Sequence, residues 1–310
     1  MFLSDFKAYL HKIPNERHPD QLLHPNSIQA ILNAFKAIMK EAYHKHPSLI
    51  GKSNPFDSFK YSGEITTKEK LSIAEIRQII NLDIAEGTLM WHCRNYFLFS
   101  FYCAGIRVGD LIQLRWRNIT SENKLEYVMD KNGKKRDVPL IEDAIAILDA
   151  YRKEDSSLDD YIFPLLDNNA TWAKYLIKNG KSTMPSDLKA ELFRVIGSKT
   201  ALINKTLKQI QCKAEITKKI TFHISRHSFA KIAKDSGADN LQVKKWLGHS
   251  NLSTTERYMG DFDAETNDKA MVSMFDGIRN EEDKVSMLYN QLKGIDPQIL
   301  AKVLDRLNKE

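Results

Sequence analysis

Cysteine is scarce: Cys93, Cys103 and Cys212 are the only three in 310 residues, and none lies at a metal-ligand spacing from another. Cys93 and Cys103 sit among apolar residues and read as reduced core thiols, which points to a cytoplasmic protein. No run of about 18 apolar residues occurs, so no membrane span is expected. The opening MFLSDFKAYLHKIP has no basic segment followed by an apolar one, so no secretory leader is expected in it. A phosphate-cradling GxxxxGK[ST] loop, an HExxH pair and a serine-hydrolase elbow are all missing. Of nine histidines, five fall in the first 46 residues without ligand spacing. No metal and no cofactor are expected, and most familiar enzyme classes drop out. Internal repeats and low-complexity tracts are absent too.

What is present is charge, unevenly spread. The net charge of +6 says little by itself, but residues 205–234 hold eight Lys or Arg against the single acid Glu215. Residues 261–310 hold eleven acids against seven bases, so the first 260 residues carry a net +10. A basic body with an acidic tail suits a polyanionic partner, usually nucleic acid, although a solvated lysine face would give the same count.

The pattern along the chain is mainly helical. Residues 2–12 and 26–44 read as helices, the second with Ile28, Ile31, Leu32, Phe35, Ile38 and Met39 at helical spacing and Asn26 or Ser27 as its cap. Residues 51–70 are polar and aperiodic, as in a linker. Ser72 and Glu75 form a capping box for the next helix. Residues 88–105 are apolar nearly all round, which predicts a central buried helix ended by Gly105. Between 124 and 140 the period becomes strand-like around Asn132-Gly133, a hairpin signal. Residues 160–206 carry no clear period. Asp239 or Asn240 can cap a helix through Trp246, and residues 297–308 form a last helix with a leucine stripe. The organisation expected is a helical piece over 1–66, a larger domain over 67–275 with one small antiparallel sheet, and a helical tail over 276–310.

A scattered polar set remains for chemistry: Arg107, Lys131, His223, Arg226, His249 and Tyr258. Taken singly each is ordinary: a surface cation, a solvated hairpin, a helix-capping imidazole, an exposed phenol. Together they suit a phosphodiester. Two arginines offer fixed planar donors that gain as charge builds on the phosphoryl oxygens. Imidazoles orient the phosphate or move protons at neutral pH. A hairpin lysine can protonate a leaving oxygen, with Lys134 and Lys135 near enough to compete with Lys131. A phenol, with a pKa of about 10, becomes a nucleophile beside cations. The implied reaction transfers a phosphodiester onto Tyr258 and stores the broken bond without ATP.

These residues sit in motifs that resemble the tyrosine recombinases, the phage integrase family. AGIRVGDLIQLRW looks like the family's first-arginine box at Arg107, and DKNGKKRDVPL its β-hairpin lysine segment at Lys131. FHISRHSFA matches the His-x-x-Arg box at His223 and Arg226, and LGHSNLSTTERY the last box, with His249 nine residues before Tyr258. The resemblance runs from about residue 2 to about residue 275. It implies a mainly α tyrosine recombinase catalytic domain with a small antiparallel β-sheet, preceded by a helical, SAM-like core-binding domain, the two closing on a DNA duplex. It further implies attack by Tyr258, a 3′-phosphotyrosine intermediate, and integration or excision of a mobile element. A homotetramer on DNA, exchanging C-terminal segments that include residues 262–275, belongs to the same implication, as do accessory DNA-bending proteins. Asp110 is expected to orient its neighbourhood rather than carry protons.

One departure stands out. The family's core-binding domain has about four helices, and only two precede the linker here, so this part reads as partial and the chain as truncated upstream. Two other readings stay open: relaxation of DNA in the manner of a type IB topoisomerase, and a DNA-binding module without catalysis, for which residues 225–250 supply two helices joined by a glycine-containing turn.

Overall fold

The computed structural model describes residues 2–16, 18–46, 54–64, 69–177 and 180–248, together with Met271. The chain divides into two units, Met1–Thr67 and Lys68–Glu310.

In the first unit, α1 (Phe2–Leu10) and α2 (Pro25–Lys45) pack around Leu10, Ile28 and Leu32. A short antiparallel pair, β1 (Pro14–Asn15) and β2 (His18–Leu22), joins them. No strand was expected there, because β2 is exposed along its whole length and shows no alternation to read. The α2 cap is neither Asn26 nor Ser27. His24 Nδ1 accepts from the Asn26 amide at 3.2 Å, and Pro25 takes the first helical position, where its missing N–H costs nothing. Part of the expected linker also folds here. Phe56 is buried with its ring 5.3 Å from Phe35 and 6.0 Å from Phe59, and Phe59 and Tyr61 join the small core. Three aromatics in a polar stretch hold it down by burial, which a composition average hides.

The second unit is built on α4 (Leu89–Tyr102), capped by Thr88 and followed by Cys103 and the turn expected at Gly105. Every residue from Asn95 to Tyr102 is buried. It packs against α6 (Glu142–Asp149), α7 (Ser186–Lys213) and α8 (Phe222–Asp235). Phe97, Phe99 and Phe101 lie at full burial among Ile203, Leu207, Phe229 and Ile232. Truncating one of these rings to alanine costs about 3–5 kcal/mol. Helix α3 (Ile73–Ile80) begins with the expected capping box, and Lys218 adds an ion pair to Glu75 at 2.6 Å. Burial acts to raise the Glu75 carboxyl, but Lys218 and the Ser72 amide and hydroxyl outweigh it and hold the group below its ordinary range.

The expected sheet is β3 (Lys124–Val128) against β4 (Lys135–Pro139), antiparallel, with Leu125 opposite Val138 and Tyr127 opposite Arg136. Its connection is a six-residue loop, 129–134, rather than a tight two-residue turn. Gly133 still takes the left-handed conformation, at φ +67°. The aperiodic stretch before α7 is ordered by Arg115, which is buried, stacks over the Tyr161 ring at 4.0 Å, and donates to the Asp159 and Ala173 carbonyls. Helix α9 (Asn240–Leu247) starts at Asp239, whose carboxylate accepts from Leu241 and Gln242, and stops at Gly248 with φ +63°. Among the described residues no helix is long and apolar enough to cross a membrane.

Candidate active site

Arg107 is delivered by the end of the buried helix. Cys103 follows α4, Ala104 turns left-handed at φ +54° and Gly105 follows at φ +68°. The Gly105 amide closes the stop by donating to the Ser100 carbonyl at 2.7 Å. Gly105 also lies against α8: a Cβ there would stand 2.7 Å from Arg226 Cα. The Ser100 and Ser225 hydroxyls meet at 2.7 Å and between them reach the Ile106 and Phe222 carbonyls. The loop bearing Arg107 and the helix bearing His223 and Arg226 are thus pinned together by contact and by buried hydrogen bonds.

The side chains diverge in their settings. Arg107 begins α5 (Val108–Ile112); its Nη1 lies 3.0 Å from Met129 Sδ and 3.9 Å from Asp110 Oδ2. Arg226 is only 4% exposed and donates to the Gly105 carbonyl at 2.6 Å and to the Leu247 carbonyl. Burial, with the nearby guanidiniums of Arg107 and Arg136, lowers its pKa to about 10. A site that disfavours its own cation is one that an anion would relieve. Asp110 is buried; one of its oxygens accepts from the Asp130 amide at 2.9 Å and its other lies toward Arg107. Burial raises its carboxyl, more than Arg107 and Lys181 lower it. His223 is exposed in the first turn of α8, its ring edge-on to His227 at 4.6 Å. His227 was not among the expected residues, though its i,i+4 spacing from His223 was visible.

The hairpin loop faces this group. Lys131 and Lys134 are exposed, whereas Lys135 is committed to Glu126 at 2.6 Å. The neighbour of Lys131, Asp130, is held by Gln113 at 2.7 Å and by Lys181 at 2.5 Å. Lys181 comes from the stretch whose period could not be read. Asp110, Gln113, Asp130, Lys135 and Lys181 border a cleft of about 420 Å³ with mixed charge, which Arg107, Lys131, His223 and Arg226 do not line. Asn132 Nδ2 reaches the Gly248 carbonyl at 3.4 Å. His249 and Tyr258 lie outside the described residues, as do Ser253 and Glu256, whose spacing in the sequence suits a helix-capping box, and residues 262–270, 272–275 and 276–310. Four of the six expected residues are therefore located, all in the second unit. Among the described residues, no group of three His, Cys, Asp or Glu side chains could hold a metal ion.

Comparison with known proteins points the same way. The family model described as the phage integrase family matches residues 69–265. The tyrosine recombinase XerD of Staphylococcus saprophyticus is 28% identical over 232 residues, covering 74% of this chain and 69% of that protein. The tyrosine recombinase XerC of Xanthomonas axonopodis pv. citri is 30% identical over 159 residues, which span 51% of this chain but only 43% of that relative. Among solved structures, the Tn1549 transposon integrase in complex with circular intermediate DNA superposes with a TM-score of 0.51 at 18% identity, covering 87% of this chain and 84% of that one. At that identity the likeness concerns the fold.

Proposed function

Because the chain belongs to the phage integrase family, we propose that it is a site-specific DNA recombinase that cuts and rejoins strands through Tyr258. The observation that carries this reading is the contact of Gly105 with Arg226, which brings two motifs 121 residues apart into one cationic group with Arg107. Arg107 and Arg226 bind the scissile phosphate and offset the charge that grows on its oxygens. Tyr258 gives its phenolic proton to an imidazole, His223 or His249, as its oxygen attacks phosphorus; the bond to the 5′ oxygen breaks, and Lys131 supplies the proton that leaves with it. The 3′ end is then held as a phosphotyrosine. The 5′-hydroxyl of a partner strand attacks that ester and returns its proton to Lys131, the Tyr258 oxygen leaves and takes its proton back from the imidazole, and the number of phosphodiester bonds is unchanged. His223 and His249 orient the phosphate or move protons. We further propose a homotetramer on duplex DNA in the cytoplasm, with integration or excision of a mobile element as its task.

The α8–α9 pair, joined through Gly237 at φ +92°, also suits plain DNA binding. One experiment separates the two. A nicked duplex recovered from a randomised pool by its binding to the chain is incubated with wild-type and Tyr258→Phe protein. The wild type should give a covalent adduct resistant to detergent, and Tyr258→Phe none, with binding retained. An adduct that survives the substitution, or a wild type that binds without forming one, refutes the proposal. Exchange between two sites, as against relaxation of a single plasmid, excludes the topoisomerase reading.

A further inference from the structure

Three independent contacts meet at the point where α9 ends. Arg136 of strand β4 is 5% exposed and donates to the Trp246 carbonyl and to the Tyr127 hydroxyl, the latter at 3.1 Å. Arg226 donates to the next carbonyl, Leu247. Gly248 lies so close to the sheet that a Cβ would stand 2.6 Å from Met129 Cε and 3.3 Å from Arg136 Cδ, while its carbonyl is within reach of Asn132. The last carbonyls of a helix lack partners within it, and buried guanidiniums are the strongest donors a fold can supply there. Arg136 does so from the strand that leads directly out of the loop bearing Lys131. It occupies a position that the two-residue period of the strand turns toward the core, opposite Tyr127.

Resting on the recombinase reading above, we propose that Arg136 is a positioning residue for strand cleavage. It latches the end of α9, from which the chain continues into His249, to the hairpin that presents Lys131, so that the two elements are set relative to each other and to Arg226. Its guanidinium does not touch DNA. It acts through the Trp246 carbonyl on one side and the β4 backbone on the other. A planar fork serves both acceptors at once, the Trp246 oxygen and the Tyr127 hydroxyl; a lysine ammonium in its place serves one of them well.

The test uses the full chain with Arg136→Met, Arg136→Lys and Asn132→Ala. Hydrogen exchange, read without DNA, should accelerate by about 10-fold or more in Arg136→Met over both 129–134 and 244–248, with 89–102 unchanged. Acceleration in the hairpin alone, or over the whole second unit alike, overturns the latch. On the nicked duplex used for Tyr258, adduct formation should slow by about 10- to 100-fold in Arg136→Met while binding stays within about two-fold, since displacement by about 1 Å has that effect on rate. Arg136→Lys should recover part of the rate. Asn132→Ala, at an outer position that leaves folding intact, should slow it by a few-fold, about 2 to 5, for loss of its hydrogen bonds to the Gly248 carbonyl and from the Lys134 amide. Equal loss of binding and cleavage, or no rescue by lysine, overturns the positioning role. If the wild type itself forms no adduct, the recombinase reading falls, and with it the role in cleavage, while the exchange measurement still decides whether Arg136 latches the two elements.

Discussion

Replacing Gly105 by alanine tests the join between the Arg107 loop and α8. Two separate costs apply. At φ +68° an L-residue is strained by about 1–2 kcal/mol. The new Cβ would also stand 2.7 Å from Arg226 Cα and 2.8 Å from its Cβ. Those are atoms of a helix backbone and its root and cannot swing aside, so overpacking adds about 1–3 kcal/mol. The sum is about 2–5 kcal/mol. Gly87 supplies the control, since it has φ +74° but nothing within 4 Å of an added Cβ; Gly87→Ala should cost about 1–2 kcal/mol, less the gain from a stiffer unfolded chain. The assay is urea unfolding followed by tryptophan fluorescence. All four tryptophans, Trp91, Trp116, Trp172 and Trp246, lie in the second unit, so the signal reports that unit. With a denaturant slope of about 2–3 kcal/mol per M, the midpoint of Gly105→Ala should fall about 1 M or more below wild type, and clearly below that of Gly87→Ala. Equal midpoints for the two variants would refute the close contact with Arg226, and with it the structural basis for placing Arg107 and Arg226 together.

Two pH measurements follow from the same unit. The Glu75 carboxyl is held below its ordinary value of 4.5, so its stabilisation is complete above that value and is lost as pH falls through the folded-state pKa. Glu75→Gln should therefore be less stable at neutral pH, by roughly 0.5–1 kcal/mol given the partial exposure of Lys218, and the gap should close in acid; a gap independent of pH would contradict the ion pair. The Asp110 carboxyl is raised above its ordinary 3.8, so the folded state binds the proton more readily and ionisation removes stability as pH climbs through that window. Asp110→Asn keeps an acceptor for the Asp130 amide and should unfold at equal or higher urea than wild type at pH 7, with no difference below the ordinary aspartate range; a less stable variant at pH 7 would mean that Arg107 outweighs burial.

The local settings of Arg107, Lys131, His223 and Arg226 were legible in the sequence because each sits in a short motif whose local structure the chain itself dictates: a helix stop, a hairpin loop, one turn of helix. The capping box at Ser72 and a helix cap at Asp239 were legible for the same reason. Two features of the second unit that escaped are carried by single buried guanidiniums. Arg115 orders the stretch around Asp159, Tyr161 and Ala173 without any apolar period, so a reading by periodicity finds nothing there. Arg136 looks like one more cation in KKRDVPL, although Val138 two residues on, and Leu125 and Tyr127 across the pair, assign its position to the core face. A cation at a position that the pattern reserves for an apolar side chain remains buried only if its donors find acceptors. Within β3 and β4 the carbonyls lie in the plane of the strands, used by the ladder or turned outward as Glu126 is toward Asn118, so a side chain on the core face must find its partner elsewhere, and a helix end is the place where carbonyls without partners in the helix are concentrated. The α9 end meets that requirement at Trp246, which makes the Arg136 latch a consequence of strand period and helix termination together rather than of either motif alone.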